Sequence, residues 1–390
     1  MRILQVGGSG GVGTARMGPI STTVCMLSNH LARLGHDVTL ADAASSEPRE
    51  LISPDVRLVE IPVTSRQAVT RAPGGRIGRA LFSWATEWRM ARALAIRLRG
   101  EDFEIVHLHE MLQAFFLERL YPAVSVYSSH TPTWCGGYRM GRLWPDERGV
   151  ISRARLAITR GDFLRRYVSH PNMVTIPQGL DLGEWPAVES TDARRRLGLP
   201  ASEFIVTFAG RLVPLKGVDV LIDAIRILKG QSVNVSAIIL GPLTARTRRS
   251  EETIPYARSL IERSTGLSIQ FTGYINNRSS TFRDHLAAAD VFVLPSWFDA
   301  QGVVVLEAMA MGTPVIGSDV GGIPEMITDS VGRLCAPGDS HHLAHRIREF
   351  YEHPDLRQTL ASRCRAHVAA FKTVLPRDRR ATSGLRAPRQ

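Results

Sequence analysis

The segment Ser296–Ala310 reads SWFDAQGVVVLEAMA and follows directly on the apolar run VFVLP at 291–295. Two acids, Asp299 and Glu307, stand eight positions apart (307 minus 299), with Gly302 between them and a helix-forming stretch after it. Such a strand–loop–helix unit suits a polyhydroxylated ligand, because carboxylates accept hydrogen bonds from sugar and ribose hydroxyls. The alternative interpretation is a buried junction whose acids only cap the helix or face solvent.

Length and composition predict a globular protein of two domains. A chain of 390 residues is too long for one ordinary core, and 44% hydrophobic with 22% charged residues is typical of a soluble protein. The four cysteines are scattered, which argues against a disulfide framework or a zinc site and favours a reducing interior. No secretory signal or membrane-length apolar run is visible, so we expect a cytoplasmic protein.

The basic charge of the chain does not by itself indicate a nucleic-acid partner. The formal net charge is +11 and the pI is about 10.1, and six of the basic residues fall after residue 371 in a Pro- and Gly-containing tail. This composition is typical of disorder. We find no RNA-recognition, KH or zinc-finger signature, so the prediction is no nucleic-acid partner.

Apolar, β-branched runs alternate with helix-period segments along the whole chain. Runs that are apolar throughout predict parallel strands covered on both faces. The predicted strands are Ile3–Val6, Val38–Leu40, Val56–Ile61, Ile105–Leu108, Val124–Tyr127, Leu156–Ile158, Val174–Ile176, Phe204–Phe208, Val235–Leu240, Ile269–Phe271, Val291–Leu294, Val315–Ile316 and Gly332–Cys335. The pattern predicts two doubly wound α/β domains, at 1–185 and 186–370, followed by a basic tail at 371–390.

A second segment in the C-terminal half carries two cations at a predicted strand end. Residues 208–217 read FAGRLVPLKG, with Arg211 and Lys216 placed between a strand that ends near Gly210 and a helix that begins near Gly217. An arginine fork, a mobile lysine charge and a helix dipole together suit a nucleoside diphosphate without a metal ion. Two solvated loop cations are the alternative.

At this point the sequence resembles the family 4 (group 1) retaining glycosyltransferases. The motifs that carry the resemblance are GR…KG at 210–217, LG at 240–241, FTGY at 271–274, ADV at 289–291, the acid pair, and LEAMA followed by GTPV at 306–315. In the first half, GHDV at 35–38, VHLH at 106–109 and IPQGLD at 176–181 also fit. The resemblance covers residues 1 to about 365 and implies the GT-B fold, with two Rossmann-like domains facing across a cleft.

The resemblance also implies roles for individual residues. Arg211 and Lys216 should hold the donor diphosphate, Glu307 the ribose hydroxyls, and Asp299 the donor sugar. His109 should contact the sugar near the reacting centre. Further donor-binding positions are Gly18, in the loop after the first strand, Gly210, and the backbone at Gly302, Val303 and Val304. The implied enzyme moves a hexose-type sugar from a UDP- or GDP-linked donor to an acceptor hydroxyl, with no metal cofactor.

Three departures from the family pattern stand out. Asp299 occupies the position of the family's usual Glu and is one methylene shorter. The usual double glycine of the first loop is not evident around Gly18. The C-terminus breaks at Pro376 into the basic tail, where the family often has a helix that crosses back to the first domain.

Other functions compete for single features. Gly8, Gly10 and Gly13 satisfy GxGxxG, with Asp42 placed to bind a ribose, which suggests a nicotinamide-dependent enzyme but leaves the second half unexplained. A GT-B nucleotide-sugar epimerase and a partner-binding homologue without activity are further alternatives. His107 shares a strand face with His109, yet no third metal ligand stands at a suitable spacing.

The arginine-laced stretch Arg76–Arg99 has two interpretations. Its helical period and aromatic residues suit a surface helix at an anionic membrane, which would bring the enzyme to a lipid-linked acceptor at the inner membrane face. The preferred interpretation is an amphipathic helix that packs on its own domain.

Overall fold

The strands of both halves pair in parallel, and five of the thirteen are buried along their whole length. The structure, a computed structural model, describes residues 1–7, 12, 19–45, 48–62, 75–118, 120–121, 124–130, 147–167, 170–242 and 250–371. Within these residues the strands form one sheet of seven and one of six, and every pairing is parallel. All thirteen predicted strands are confirmed, with ends that differ by a few residues at most.

The first sheet has the strand order β3-β2-β1-β4-β5-β6-β7. Its strands are β1 Arg2–Val6, β2 Asp37–Ala43, β3 Val56–Ile61, β4 Ile105–Leu108, β5 Ser125–Ser129, β6 Leu156–Thr159 and β7 Met173–Thr175. The helices described here are α1 Pro19–Arg33, α2 Gly75–Arg97, α3 Met111–Leu117 and α4 Glu147–Arg153, followed by a short 3₁₀ helix, Asp162–Arg166.

The second sheet repeats this topology in the order β10-β9-β8-β11-β12-β13. Its strands are β8 Phe204–Ala209, β9 Val235–Leu240, β10 Ile269–Gly273, β11 Val291–Leu294, β12 Val315–Ser318 and β13 Gly332–Cys335. The helices are α5 Ser190–Leu197, α6 Val218–Gly230, α7 Ser250–Arg263, α8 Ser280–Ala287, α9 Val304–Ala310, α10 Ser340–Glu352 and α11 Pro354–Ala370, with a 3₁₀ turn at Pro214–Lys216.

The order of the strands therefore reverses at an equivalent place in both sheets. The switch lies between β1 and β4 in the first sheet and between β8 and β11 in the second. Ligands of doubly wound sheets bind beyond the carboxyl ends of the strands at this switch. The fold thus directs attention to the residues that follow β1, β4, β8 and β11, and it confirms the predicted pair of Rossmann-like domains.

Each sheet is covered by its own apolar core. Phe208, Phe292 and Phe350 are fully buried in the second domain, where helices α6 and α10 pack together. In the first domain, Met90, Leu94 and Leu98 from α2 and the residues after it are buried against the sheet core. The helix within the Arg76–Arg99 stretch therefore packs on its own domain, as preferred above.

Some expectations fall outside what the fold tests. Gly18, the GxGxxG glycines and the tail from residue 372 lie outside the described residues. The domain limits at 185 and 186 stay a prediction. No helix among the described residues is both long and apolar enough to cross a membrane.

Candidate active site at the two switch points

The loops that follow β8 and β11 lie against each other in the second domain. The backbone N–H of Trp297 donates to the carbonyl of Leu215 over 2.9 Å. Gly217 has φ +64°, and a Cβ at this position would lie 2.0 Å from the carbonyl oxygen of Pro295. Only glycine permits so close an approach with a left-handed backbone. The two segments identified from the sequence thus meet at one place.

This contact brings Lys216 and Asp299 together. The Lys216 Nζ donates to Asp299 Oδ2, and the two side chains are only 17% and 15% exposed. The other carboxylate oxygen accepts from the backbone N–H of Gln301 at 3.4 Å. Two residues predicted to touch different parts of the donor therefore form one ion pair, largely shielded from water.

Gly302 supports the position of Asp299. Its φ is +71°, and an added Cβ would lie 2.8 Å from Leu294 Cδ2 and 3.6 Å from the carboxyl carbon of Asp299. A side chain here would displace the core leucine and would be in van der Waals contact with the acid. We infer that Gly302 is required for the loop conformation that presents Asp299 to Lys216.

The remaining C-terminal candidates surround this ion pair in sequence. Arg211 is exposed, two residues beyond the end of β8, and Gly210 donates its N–H to the Leu240 carbonyl at 2.9 Å. At the start of α9, the Val303 carbonyl accepts from the N–H groups of Leu306 and Glu307 at 2.9 and 3.1 Å. Val304 is the first residue of that helix.

Glu307 lies in α9 and is 9% exposed. Burial raises the pKa of its carboxyl from the usual 4.5 to about 7, although a hydrogen bond with Asn277 acts in the opposite direction. At neutral pH this carboxyl is therefore poised between its charged and neutral forms. A ligand that donates hydrogen bonds to it would favour the charged form.

The first domain presents a chain of polar side chains across four neighbouring strands. His109, which follows β4, places Nε2 2.8 Å from Gln5 Oε1 and Nδ1 3.0 Å from His130 Nε2. Arg160, which follows β6, places Nη2 3.4 Å from His130 Nδ1. The neighbouring His107 bonds Ser128 Oγ at 2.7 Å.

The direction of these hydrogen bonds follows from Arg160, which stands at one end of the row. An arginine can only donate, so His130 accepts at Nδ1 and carries its proton on Nε2. That proton is donated to His109 Nδ1, and His109 in turn donates from Nε2 to Gln5. Both ring nitrogens of His109 are therefore engaged within its own domain.

Burial holds the pKa of His109 and of His130 well below the usual 6.5, and nearby positive charge adds to the effect. For His107 burial lowers the pKa to about 3. All three rings are accordingly neutral at physiological pH. His109 is 2% exposed and held as a fixed neutral ring, and the structure gives it no free nitrogen for proton transfer.

Side chains that sequence reasoning did not single out join the two domains. Gln301 accepts at Oε1 from the Gln178 N–H at 2.8 Å and donates from Nε2 to the Gln178 carbonyl at 2.6 Å. Thr23 in α1 donates to the Gln178 side chain at 2.9 Å. The signal for Gln301 was available: it stands between the two acids, immediately before Gly302.

A carboxylate makes the second join. Glu325 of the C-terminal domain accepts from the backbone N–H groups of Asp162 and Phe163, at 2.9 and 2.7 Å, at the start of the 3₁₀ helix. Phe163 also packs edge-on against Phe298, with ring centroids 6.0 Å apart. These contacts set how the N-terminal face stands against the loop that bears Asp299.

A cavity of about 620 Å³ lies between the domains beside these contacts. It is lined by Arg160, Asp162, Phe163, Arg166, Thr175, Pro177, Gln301, Gly322, Glu325, Met326 and Phe371. Among the described residues, no group of three His, Cys, Asp or Glu side chains is arranged to hold a metal ion. Metal independence stays a prediction.

The acid of the dinucleotide interpretation is already engaged. Asp42 accepts from the Val12 N–H at 3.0 Å and pairs with Arg49 Nη1 at 2.8 Å. Its side chain is fully buried behind these partners.

Comparisons with known proteins agree on one family. The family model described as Glycosyltransferase Family 4 matches residues 20–184, and the model described as Glycosyl transferases group 1 matches residues 189–367. Neither describes a nicotinamide-dependent enzyme or an epimerase, so those alternatives receive no support.

Eight curated relatives share one name. The D-inositol 3-phosphate glycosyltransferase of Streptomyces scabiei is 31% identical over 56% of this chain and 50% of its own length. The protein of that name from Saccharomonospora viridis is 26% identical over 92% of this chain and 87% of its own length. The chain spans about half the length of the first curated relatives that it matches.

Solved structures share the whole architecture. Sucrose-phosphate synthase from Thermosynechococcus elongatus superposes with a TM-score of 0.78 and 24% identity, over 95% of this chain and 94% of that one. Anabaena HepE in complex with UDP-glucose gives a TM-score of 0.65 and 20% identity over 95% of both chains. These structures show the two-domain GT-B fold, and the two family models, which match residues 20–184 and 189–367, show that the chain belongs to the family 4, group 1 glycosyltransferases.

Proposed function

We propose that this chain is a retaining glycosyltransferase that moves a hexose-type sugar from a nucleoside-diphosphate donor to an acceptor hydroxyl. The observation that carries the proposal is the shielded Lys216–Asp299 pair at the switch point of the second sheet, with the exposed Arg211 on the adjoining loop. Cations placed at a strand end of a doubly wound sheet suit a diphosphate.

In the proposed mechanism, Arg211 and Lys216 bind the diphosphate and stabilise it as it departs. A lysine ammonium has three donors, so Lys216 can hold Asp299 and a phosphate oxygen at the same time. Asp299 would then orient the lysine and leave carboxylate lone pairs for a hydroxyl of the donor sugar. Charge stabilisation of the leaving group is the main contribution of the protein to the rate.

The nucleotide would lie beside α9. Glu307 would accept hydrogen bonds from ribose hydroxyls, and these bonds would favour its ionised form over the neutral form that burial favours. HepE is described with UDP and UDP-glucose, which supports a uridine nucleotide as the first donor to test, with a guanosine nucleotide second. Gly18 and the backbone at Gly302–Val304 stay predicted contacts of the donor.

The acceptor hydroxyl would attack from the face that the diphosphate leaves, and a donor phosphate oxygen would take its proton. His109 would then contact the sugar through ring carbons or its main chain, because both its ring nitrogens are engaged. The relatives' name refers to inositol 3-phosphate, which supports a polyhydroxylated acceptor.

The test uses purified protein with UDP- and GDP-linked hexoses, first without acceptor and then with a panel of sugars and polyols, free and phosphorylated. We expect slow nucleotide release without acceptor, faster release with the matching acceptor, and a product that keeps the anomeric configuration of the donor by NMR. Inversion would contradict the retaining mechanism, and interconversion of nucleotide sugars would indicate an epimerase. If no nucleotide binds, the enzymatic proposal fails.

Two further proposals concern conditions rather than chemistry. We propose that turnover needs no metal ion, so a chelator should leave the rate unchanged. We also propose a cytoplasmic protein whose Arg76–Arg99 stretch touches an anionic membrane; in support, Trp88 and Ile96 are exposed on that helix, and Arg92 stacks over Trp88. Flotation with anionic vesicles tests the contact.

A further inference from the structure

Two arginines of this protein are equally buried and differ sharply in their partners. Arg194 and Arg160 are each 8% exposed. Arg194 pairs with Asp290 at 2.7 Å and donates to four backbone carbonyls, those of Ala288, Pro200, Ala201 and Glu203, at 2.8 to 3.3 Å. It is a satisfied structural cation, which is the usual state of a buried charge.

Arg160 lacks this compensation. Its contacts, to His130 Nδ1 and to the Ile176 carbonyl, are both 3.4 Å long, and its Nε is buried without a hydrogen-bond partner. In the part of the chain that the structure describes, no carboxylate lies within ion-pair distance of Arg160. The three neighbouring histidines are neutral and offer it no charge.

The environment of Arg160 disfavours its charge. Burial lowers the pKa of the guanidinium to about 10, which still leaves it protonated at neutral pH. An uncompensated buried charge is costly, and proteins pair such charges or place them where a ligand completes the pair. The compensating group for Arg160 is therefore sought in what it faces.

Arg160 lines the 620 Å³ cavity between the domains, together with Arg166. Two carboxylates line the same cavity but are already engaged. Glu325 accepts from two backbone N–H groups, and Asp162 accepts from Thr175 and from Arg165. The cavity has the volume of a small-molecule site, and Arg160 is its one buried arginine among the described lining residues.

We propose that Arg160 anchors an anion subsite in this cavity, which takes an acidic group, a phosphate or a carboxylate, of the acceptor. The assignment to the acceptor rests on the proposed function and on position. Arg160 follows β6 of the first domain, whereas the cations assigned to the donor follow β8 of the second. A fork of N–H donors with an unused Nε matches the geometry of either acid.

The first experiment measures binding without turnover. UDP is titrated into the full-length protein by calorimetry, and inorganic phosphate is titrated into the protein already saturated with UDP, for the wild type, Arg160→Gln and the surface control Arg195→Gln. We expect Arg160→Gln to weaken phosphate binding by about tenfold or more, as loss of a charge-assisted hydrogen bond does, and UDP binding by less than about twofold. Equal phosphate affinity in all three proteins, or a parallel loss of UDP affinity, would overturn the acceptor subsite.

The second experiment separates binding from structure by thermal unfolding. Arg160→Gln removes an uncompensated buried charge, so its Tm should stay level or rise, and phosphate should raise the Tm of the wild type more than that of Arg160→Gln. Arg194→Gln, equally buried but fully paired, should lower the Tm. A fall for Arg160→Gln as large as that for Arg194→Gln would make Arg160 structural and refute the proposal.

The third experiment links the subsite to turnover. Each free sugar or polyol is compared with its phosphorylated form as acceptor, and the preference for the phosphorylated form should fall about tenfold or more in Arg160→Gln. An unchanged preference would refute the proposal. If the wild type releases no nucleotide from any donor, the proposed function fails, whereas the phosphate-binding result still decides whether Arg160 forms an anion site.

Discussion

The two faces of the cleft differ in how their polar side chains are held. On the N-terminal face, neutral histidines are fixed by hydrogen bonds that begin at Arg160 and end at Gln5. The C-terminal face carries the Lys216–Asp299 ion pair and the nearby Arg211. It also carries Glu307, whose pKa of about 7 lies close to neutral pH. The first arrangement gives fixed geometry, whereas the second can change hydrogen-bond partners when an anionic donor binds. This difference suits a transferase whose C-terminal face exchanges partners as the anionic donor binds, while its N-terminal face keeps a fixed row of histidines beside Arg160.

The largest expected effect is the fall in turnover after a cation is removed from the C-terminal face. Lys216→Ala removes a phosphate donor and leaves Asp299 without its ion pair, so turnover should fall about 100- to 1,000-fold, the range for loss of one charge-stabilising donor. Arg211→Ala should act in the same direction with less effect on stability, because that side chain is exposed. Steady-state kinetics with circular dichroism as the folding check measure this, and the exposed Lys229→Ala is the matched control. Near-normal turnover in Lys216→Ala would show that the charged face is not catalytic.

The next largest effect is the pH dependence of stability that Glu307 causes on the C-terminal face. Glu307 has a pKa of about 7 in the fold against 4.5 in an unfolded chain, so the folded state keeps a proton that the unfolded state loses. Its contribution to stability therefore declines as pH rises from 4.5 to 7, by up to about 3 kcal/mol. Urea denaturation across this range should show a smaller decline in Glu307→Gln than in the wild type. Parallel pH curves for the two proteins would contradict the buried-acid assignment.

The buried histidines of the N-terminal face should have the opposite effect on the pH dependence of stability. The histidines have folded-state pKa values below 6.5, so the unfolded chain binds more protons and stability falls as pH drops below 6.5. Each such histidine steepens the fall by at most about 1.4 kcal/mol per pH unit. His130→Gln should make the slope of the free energy of unfolding against pH shallower between pH 6.5 and 5. The exposed His345→Gln serves as the control. A slope equal to that of the wild type would mean that His130 is protonated in the fold.

The smallest expected effect comes from lengthening the acidic side chain of the ion pair by one methylene. Asp299→Glu adds a methylene beside Gly302 and must bend to keep its bond with Lys216, so we expect a few-fold change in donor KM and little change in kcat. Comparing several nucleotide hexoses on both proteins tests whether the shorter acid selects the sugar. Identical KM values for every donor would mean that either acid serves equally well.

Much of this architecture is evident from local patterns. Uniformly apolar runs such as Val291–Leu294 are compatible with burial on both faces, so the parallel sheets follow from the sequence. The strand-end positions of His109 and Arg211 also follow, because they stand one and three residues after predicted strands, and Lys216 lies further along the same loop as Arg211. The resemblance of the 306–315 motif to family 4 is borne out by the matched family models.

Other features depend on partners distant in sequence. Lys216 and Asp299 are 83 positions apart, and Glu325 reaches backbone groups 163 and 162 positions away. No local pattern predicts that Arg194 will be fully paired and that Arg160 will have no acidic partner in the described part of the chain. Gln301 could have been noticed as a polar residue within an apolar stretch, but its partner could not.

The sequence by itself determined the order of strands and helices, the family, and which residue types stand at the strand ends, because these depend on hydrophobic periodicity and local motifs. Only the tertiary structure decided the partners. It paired Lys216 with Asp299 and fixed His109 between Gln5 and His130. It also left Arg160 facing a cavity with no carboxylate within ion-pair distance among the described residues. The physical reason is that charge and hydrogen-bond satisfaction depend on groups brought within about 3 Å of each other by the whole fold.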